Sequence, residues 1–365
     1  MTRIPQHPDE GTERTRPSIA ATFAATELAR SGVGPARTEA ELLVAYVLGV
    51  RRGELALADP LTPGQLARLR DLVDRRSRHE PLQHLLGTAA FRHLELAVGP
   101  GVFVPRPETE LLAGWGIVQA RRVGRVEPGG GDLAGETGPV APVADARPGP
   151  VPAPDDRSGP PPDDRSGPAS APDARLGPAV AGIGQRRTAI VVDLCSGTGA
   201  IALSVADEVP GARVFAVERA AAALAWLRRN ADEQAGAGSP PIEVVAGDVA
   251  DPGLLDDLAG RVDVLLCNPP YVPDGTVVPP EVAGHDPADA VFGGPDGLAV
   301  IRLVLDRAAR LLRPGGALGI EHDDTHGTVV PDLLRADGRF VDVADHPDLV
   351  GRPRFATAHR AGATP

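Results

Sequence analysis

The stretch Ala189-Ile190-Val191-Val192-Asp193-Leu194-Cys195-Ser196-Gly197-Thr198-Gly199 decides the fold class. Its apolar opening, 189–193, reads as a buried strand, and its close as a glycine-rich turn. Ala200 to Glu208 then carries a helical pattern. The alternation continues downstream. Strands are expected at Arg213–Glu218, Ile242–Ala246, Val262–Cys267 and Gly316–Glu321, with helices at Ala220–Ala235 and Leu298–Leu312. Strands alternating with helices define the α/β class, an open parallel sheet with helices on both faces. The turn has neither the G-x-G-x-x-G spacing of dinucleotide binders nor the G-K-[ST] of a phosphate-binding loop.

Upstream the periodicity is helical over residues 18–87. Ile19, Phe23, Thr26 and Leu28 begin one amphipathic run. Leu42, Leu43, Tyr46, Val47 and Leu48 form a second that ends at Gly49. Leu66, Leu69, Leu72 and Val73 form a third, with Pro63 in its first turn. These runs predict a small helical bundle behind a loose polar tail, 1–17. Residues 88–120 are expected to hold a β-hairpin, with a break at Gly99-Pro100-Gly101, and a connecting helix. Pro105 and Pro107 forbid that helix before Glu108. In 121–187 the composition collapses to Pro, Gly, Ala, Asp and Arg, and a motif like Asp155-Asp-Arg-Ser-Gly-Pro160 recurs unevenly. The uneven spacing excludes a solenoid. Too few apolar residues are present to offset the entropy of ordering, so this insertion is expected to be disordered.

Composition narrows the function classes. The 365 residues are 42% hydrophobic, enough for about two domains. The 39 prolines and 43 glycines are nearly double average usage, and the insertion concentrates them. Net charge is −12, and all 37 basic residues are arginine. Such a chain does not advertise non-specific binding to a phosphate backbone. Two cysteines, Cys195 and Cys267, make no disulfide framework and fit a reducing cytoplasm. No apolar run reaches the roughly 18 residues of a membrane span, and no signal-peptide pattern opens the chain. No Cys/His cluster has metal-ligand spacing, so no metal is expected. The expectation is a cytoplasmic monomer without a membrane or direct nucleic-acid partner.

The strand ends carry the chemistry. Glycines at 197 and 199 let backbone approach a ligand closely. Glu218 closes the second strand, where a carboxylate can accept from both hydroxyls of a ribose and repel a 2′-phosphate. Asp248 and Val249 follow the third strand, where a carboxylate can accept from an adenine amino group. Two acids and a glycine turn at successive strand ends suit a neutral-ribose adenosine ligand at the carboxyl edge of the sheet. Asn268-Pro269-Pro270-Tyr271 follows the fourth strand. Two prolines hold that turn rigidly. The Asn268 side-chain oxygen and a proline carbonyl can each accept one N–H of a planar –NH2 group, and Tyr271 can pack over it.

With these residues in place, the chain resembles the HemK/PrmC family, the peptide chain release factor N(5)-glutamine methyltransferases. The resemblance covers about residues 18–120 and 188–360. Asp193-Leu-Cys-Ser-Gly-Thr-Gly199 is similar to the family's S-adenosylmethionine turn, Glu218 to its ribose-binding acid, and Asn268-Pro-Pro-Tyr271 to the motif that holds the substrate amide. Amino-methylating DNA and RNA enzymes share that tetrapeptide. Three further segments resemble family-specific stretches: Pro105-Arg-Pro-Glu-Thr-Glu110, His285 to Leu298, and Asp348 to Phe355. Departures are Asp286 and Val291, where the family often has Glu and Leu, and Glu218, more often Asp. Cys195-Ser-Gly-Thr-Gly199 likewise stands where Gly-Thr-Gly-Ser-Gly is usual.

The resemblance implies a Rossmann-like class I methyltransferase domain over 188–360. It also implies an N-terminal helical bundle domain that grips a protein substrate. The implied cofactor, S-adenosyl-L-methionine, would contact Asp193, Cys195, Ser196, Gly197, Thr198, Gly199, Glu218, Asp248, Val249 and Asn268. The implied reaction methylates the glutamine amide in the Gly-Gly-Gln loop of class 1 release factors. Asn268, Pro269, Pro270 and Tyr271 would be catalytic, and would bind substrate together with Arg106 and Glu108. No general base is required, because the proton can leave after transfer; His285, His322 and His326 are the nominees if one acts. Rival readings are methylation of an exocyclic amine of DNA or RNA, and an inactive adenosine-ligand sensor. The acidic charge and 3% aromatic content oppose the first. The intact tetrapeptide opposes the second.

Overall fold

Alternate residues of each central strand point to opposite faces of a sheet, and both faces here are apolar. The computed structural model describes residues 14–123 and 187–362. Seven strands form its main sheet: β3 (Ile190–Leu194), β4 (Arg213–Glu218), β5 (Glu243–Ala246), β6 (Val262–Cys267), β7 (Leu312–Glu321), β8 (Phe340–Pro347) and β9 (Pro353–Arg360). Their order is β5-β4-β3-β6-β7-β9-β8. The first five are parallel, and β9 is antiparallel to both β7 and β8. Val191, Val214, Val264 and Leu266 pack on one face against α5 (Thr109–Val123), α6 (Ala200–Glu208) and α7 (Ala221–Gly236). Val192, Leu194, Leu265 and Ile320 pack on the other against α10 (Ala299–Leu311) and α11 (Val329–Asp337). The chain order places the carboxyl ends of β3, β4, β5, β6 and β7 along one edge.

The N-terminal helices are α1 (Pro17–Arg30), α2 (Ala36–Leu48), α3 (Pro63–Ser77) and α4 (Leu82–Leu86). The α3 start shows how local chemistry sets a boundary. Thr62 accepts from the Gln65 N–H, the Gln65 side chain accepts from the Thr62 N–H, and Pro63 occupies the first turn without wasting a donor. Gly49 ends α2 at φ +69°, a conformation only glycine adopts freely. Leu28, Leu43, Val44 and Leu69 close the shared core.

Several expectations are corrected. The hairpin consists of β1 (Thr88–Phe91) and β2 (Leu94–Ala97), and it turns at Arg92-His93, not at Gly99-Pro100-Gly101. An ion pair fastens the turn. The Arg92 guanidinium is bidentate on the half-buried Glu208 carboxylate at 2.6 and 3.0 Å, and Arg92 takes φ +52°. Strands β8 and β9 and the helices α4, α8 (Pro280–His285), α9 (Ala288–Val291) and α11 were not anticipated. Within the expected loose tail, Thr15 already pairs with Leu61 and α1 begins at Pro17. Residues 1–13 of that tail, and 124–186 of the insertion, lie outside the described residues.

Candidate active site

A cavity of about 720 Å³ opens at the carboxyl edge of the sheet. Cys195, Ser196, Gly197, Thr198, Glu218, Asp248, Val249 and Asn268-Pro-Pro-Tyr271 all line it, as do Arg106 and Glu108. Sequence positions spread over nearly half the chain thus converge on one space. Asp193 and Gly199 do not line the cavity; they stand behind its wall. Asp193 is buried at the end of β3, and its Oδ2 accepts from the Ala202 N–H at 3.2 Å. Burial pushes its carboxyl up to about 7. Its role in the site is to hold the turn against α6.

The two glycines of the turn do different work. Gly197 has φ +57°, and a Cβ there would meet nothing within 4 Å, so the cavity reaches its backbone. Gly199 has φ +87°, and a Cβ would lie 2.6 Å from Leu227 Cδ1. Gly199 is therefore a packing requirement and Gly197 a ligand-facing one. Cys195 takes φ +58° without being glycine, a strained conformation worth roughly 1 kcal/mol or more. Glu218 is 9% exposed. Its Oε2 accepts from Gly197 N–H at 2.9 Å, and its Oε1 from the Arg219 and Ala220 N–H groups at 2.7 Å each. A carboxylate offers about four lone-pair sites. One remains for a ribose hydroxyl, and accepting from two requires the Gly197 bond to open. Asp248 keeps Oδ2 towards Arg219 at 3.7 Å while Oδ1 accepts from Ala250 N–H.

The tetrapeptide after β6 is pinned from several sides. Asn268 Nδ2 donates to Thr109 Oγ1 at 3.0 Å. The Tyr271 hydroxyl donates to Glu321 Oε1 at 3.0 Å. Beyond it, Val272 N–H donates to Val291, and Gly293 N–H donates back to Val272. A Cβ on Gly297 would sit 2.2 Å from the Tyr271 carbonyl oxygen, so only glycine lets this segment back the tetrapeptide. Glu321 ends β7, lines the cavity and is 1% exposed, with Oε2 lacking a hydrogen-bond partner among the described residues. Burial pushes it up to about 7, opposed by the Thr109 and Tyr271 hydroxyls and by Arg354. Burial likewise raises the Tyr271 phenol. Sequence reading missed Thr109, Glu321 and Arg354 as site residues. The available signal was an acid ending the fifth strand, beside the other strand ends.

Arg106 reaches the cavity wall but is committed there. Its guanidinium pairs with Asp286 at 2.8 Å and stacks over Phe103 at 4.8 Å. None of the nominated histidines lines the cavity. Both His322 ring nitrogens are engaged, with the Asp323 carbonyl and Asp345. Among the described residues no group of three His, Cys, Asp or Glu could hold a metal, and no helix is long and apolar enough to cross a membrane.

One reversed strand in a seven-stranded sheet, with a glycine turn and an acid on successive parallel strands, defines a class I methyltransferase dependent on S-adenosylmethionine. Residues 20–87 match the PrmC N-terminal domain, and residues 180–283 the methyltransferase small domain. A relative from Mycolicibacterium smegmatis, named release factor glutamine methyltransferase, is 42% identical over 346 residues, 95% of this chain and 98% of its own. Its namesake from Streptomyces coelicolor is 41% identical over 93% of this chain and 96% of its own. A Streptomyces pristinaespiralis relative named 4-amino-L-phenylalanine/4-methylamino-L-phenylalanine methyltransferase is 33% identical over 86% and 84%. The chain belongs to the release factor glutamine methyltransferase family.

Proposed function

We propose that this protein methylates the side-chain amide nitrogen of the glutamine in the Gly-Gly-Gln loop of class 1 peptide chain release factors. It acts in the cytoplasm, as a monomer, and modulates translation termination. The observation that carries the reading is the Asn268 carboxamide at the cavity wall. Its Nδ2 is taken by Thr109, which leaves Oδ1 to accept, and Asn268 lines the same cavity as Gly197 and Glu218.

S-adenosylmethionine, when bound, supplies a methyl group on a positively charged sulfur. Gly197, Glu218, Asp248 and Val249 hold it by backbone approach and by the acids' remaining lone pairs. The acceptor amide is a poor nucleophile because its lone pair is delocalised. Asn268 Oδ1 and the Pro269 carbonyl accept its two N–H groups and raise electron density on nitrogen. The rigid Pro269-Pro270 turn holds the nitrogen for in-line attack, and Tyr271 covers the amide plane. Positioning and exclusion of water supply most of the rate. No base is needed in the step, and the cavity wall presents no histidine. Arg106 and Glu108 border the entrance for the substrate loop, and the helices over 18–87 grip the release factor.

The test is mass spectrometry of a purified release factor after incubation with enzyme and cofactor. A one-methyl gain is expected on the Gly-Gly-Gln peptide. Asn268→Ala abolishes it while cofactor affinity stays within a few-fold. Activity surviving in Asn268→Ala removes the amide-clamp role. Methylation of a para-amino-phenylalanine instead of the release factor assigns the chain to the chemistry named for its S. pristinaespiralis relative. The names of the relatives do not favour the exocyclic amine of DNA or RNA.

A further inference from the structure

We propose that Thr109 and Glu321 form a relay that fixes which end of the Asn268 carboxamide faces the substrate, making both of them positioning residues. The inference rests on the amide-clamp reading above and deepens it. A carboxamide has two ends of nearly equal shape and opposite hydrogen-bonding sense. Facing a substrate –NH2, the oxygen end attracts and the –NH2 end repels. Nothing within Asn268-Pro-Pro-Tyr271 selects between them.

The selection comes from two residues distant in sequence. Thr109 opens α5 and is 4% exposed; its Oγ1 lies 3.0 Å from Asn268 Nδ2. A hydroxyl can donate or accept, so Thr109 alone would also tolerate the flipped amide. Glu321 removes that freedom. The register of β6 on β7 aligns Cys267 with Ile320, so Asn268 and Glu321 are the next residues along. The Glu321 carboxylate is buried and takes the Tyr271 hydroxyl on Oε1, its Oε2 has no hydrogen-bond partner among the described residues, and the Thr109 hydroxyl is among the groups that oppose the upward push of burial on it. An ionised carboxylate only accepts. The single Thr109 proton therefore turns to Glu321, and the Thr109 oxygen is left as an acceptor. Asn268 must then turn its –NH2 inward and its Oδ1 to the cavity. One acid thus orients both ends of the tetrapeptide.

Protonation of Glu321 would reverse the sense of the relay, because a carboxyl group donates. The charged and titratable groups facing it are Arg354 from β9, Glu108 beside α5 and Tyr271 after β6. Arg354 is itself shared with Asp348 at 3.4 Å. Burial places the Glu321 transition at about 7, so turnover should fall on the acid side of that value.

The experiment uses the full chain, a release factor and the cofactor. Thr109→Val should lower kcat by about tenfold or more, with KM for cofactor within about threefold. Thr109→Ser should restore kcat to within about threefold. Glu321→Gln should lose activity likewise and flatten the acid limb. A second readout needs no turnover: the Asn268 side-chain amide resonances in a 15N-labelled protein, assigned by their absence in Asn268→Ala. They should move in Thr109→Val and Glu321→Gln and stay in Thr109→Ser. The relay is overturned by wild-type kcat in Thr109→Val, by Thr109→Ser as impaired as Thr109→Val, or by an unmoved Asn268 amide in Glu321→Gln. The Thr109 pair decides the matter even where Glu321→Gln does not fold. Should the wild-type protein fail to methylate a release factor, the functional reading falls, and the amide resonances still decide the relay.

Discussion

Asp193 and Glu321 bury carboxyl groups where a charge is costly, and burial pushes each up to about 7. For Asp193 the consequence is a sign that can be measured. Its ordinary value is 3.8. Between that and about 7 the folded protein keeps a proton that the unfolded chain has released. Stability therefore falls as pH rises through this window and is flat above it. Asn at 193 has no proton to lose and can still accept from the Ala202 N–H. The stability of Asp193→Asn relative to wild type should improve by about 2–4 kcal/mol between about pH 4.5 and pH 8. Urea unfolding of both proteins at the two pH values measures it. An equal gap at both would show that Asp193 does not titrate in this range. Glu218 and Asn268 were legible in the sequence because each sits at a fixed offset from a strand end. Thr109 was not, because its meaning is a contact with Asn268 made only when α5 flanks β6; Glu321 ends a strand as Glu218 does, but its bond to Tyr271 arises only when β7 flanks β6.

At the scale of elements, the segment from Val272 to Phe292 borders the cavity with little core of its own. Helix α8 buries no residue, and α9 buries only Val291. Arginines from three other parts of the fold hold it instead. Arg76 of α3 reaches Glu281 at 2.9 Å, Arg106 reaches Asp286 at 2.8 Å, and Arg219 reaches Asp289 at 3.2 Å. The exposed Arg219 pair is worth little. The Arg106 pair matters more, because the Asp286 side chain is 1% exposed and its Oδ1 already lacks a partner among the described residues. Arg106→Ala leaves a buried carboxylate without its counter-charge, a cost of about 2 kcal/mol after allowing for Arg106 exposure. Amide exchange across 279–291 should accelerate by about tenfold or more, with β3 and β6 unchanged. Unchanged exchange in 279–291 would show that backbone pairing alone holds the segment. The strands β3, β4 and β6 and the helix α6 were readable because their apolar runs are continuous or periodic. Strands β8 and β9 were not. The edge strand β8 carries Asp342, Asp345 and His346, and the buried centre of β9, Phe355-Ala356-Thr357-Ala358, is half alanine, which disfavours strands. Only pairing with β7 makes them strands.

At the scale of the whole molecule, the sheet, its helices and every cavity-lining residue belong to 14–123 and 187–362. The N-terminal helices join the catalytic half through side chains that both halves need. The Arg76 guanidinium is 6% exposed and divides its donors between Glu39 of α2 and Glu281 of α8. Asn230 of α7 is 1% exposed and bonds both backbone groups of Ala97 on β2, as well as the Thr198 carbonyl of the glycine turn. Buried polar contacts thus tie the N-terminal helices to α8 and the hairpin to the glycine turn, and none of these contacts involves residues 126–186. Composition gives that stretch little apolar surface with which to add to either core. Replacing 126–186 with a short Gly/Ser linker should leave the melting temperature and the rate of release-factor methylation within about twofold of wild type. A fall in kcat with unchanged stability would place a functional contact in the Asp-Arg-Ser-Gly-Pro repeats. A fall in KM-limited rate alone would place a release-factor contact there. A lost melting transition would show that the two sequence halves depend on the insertion to meet.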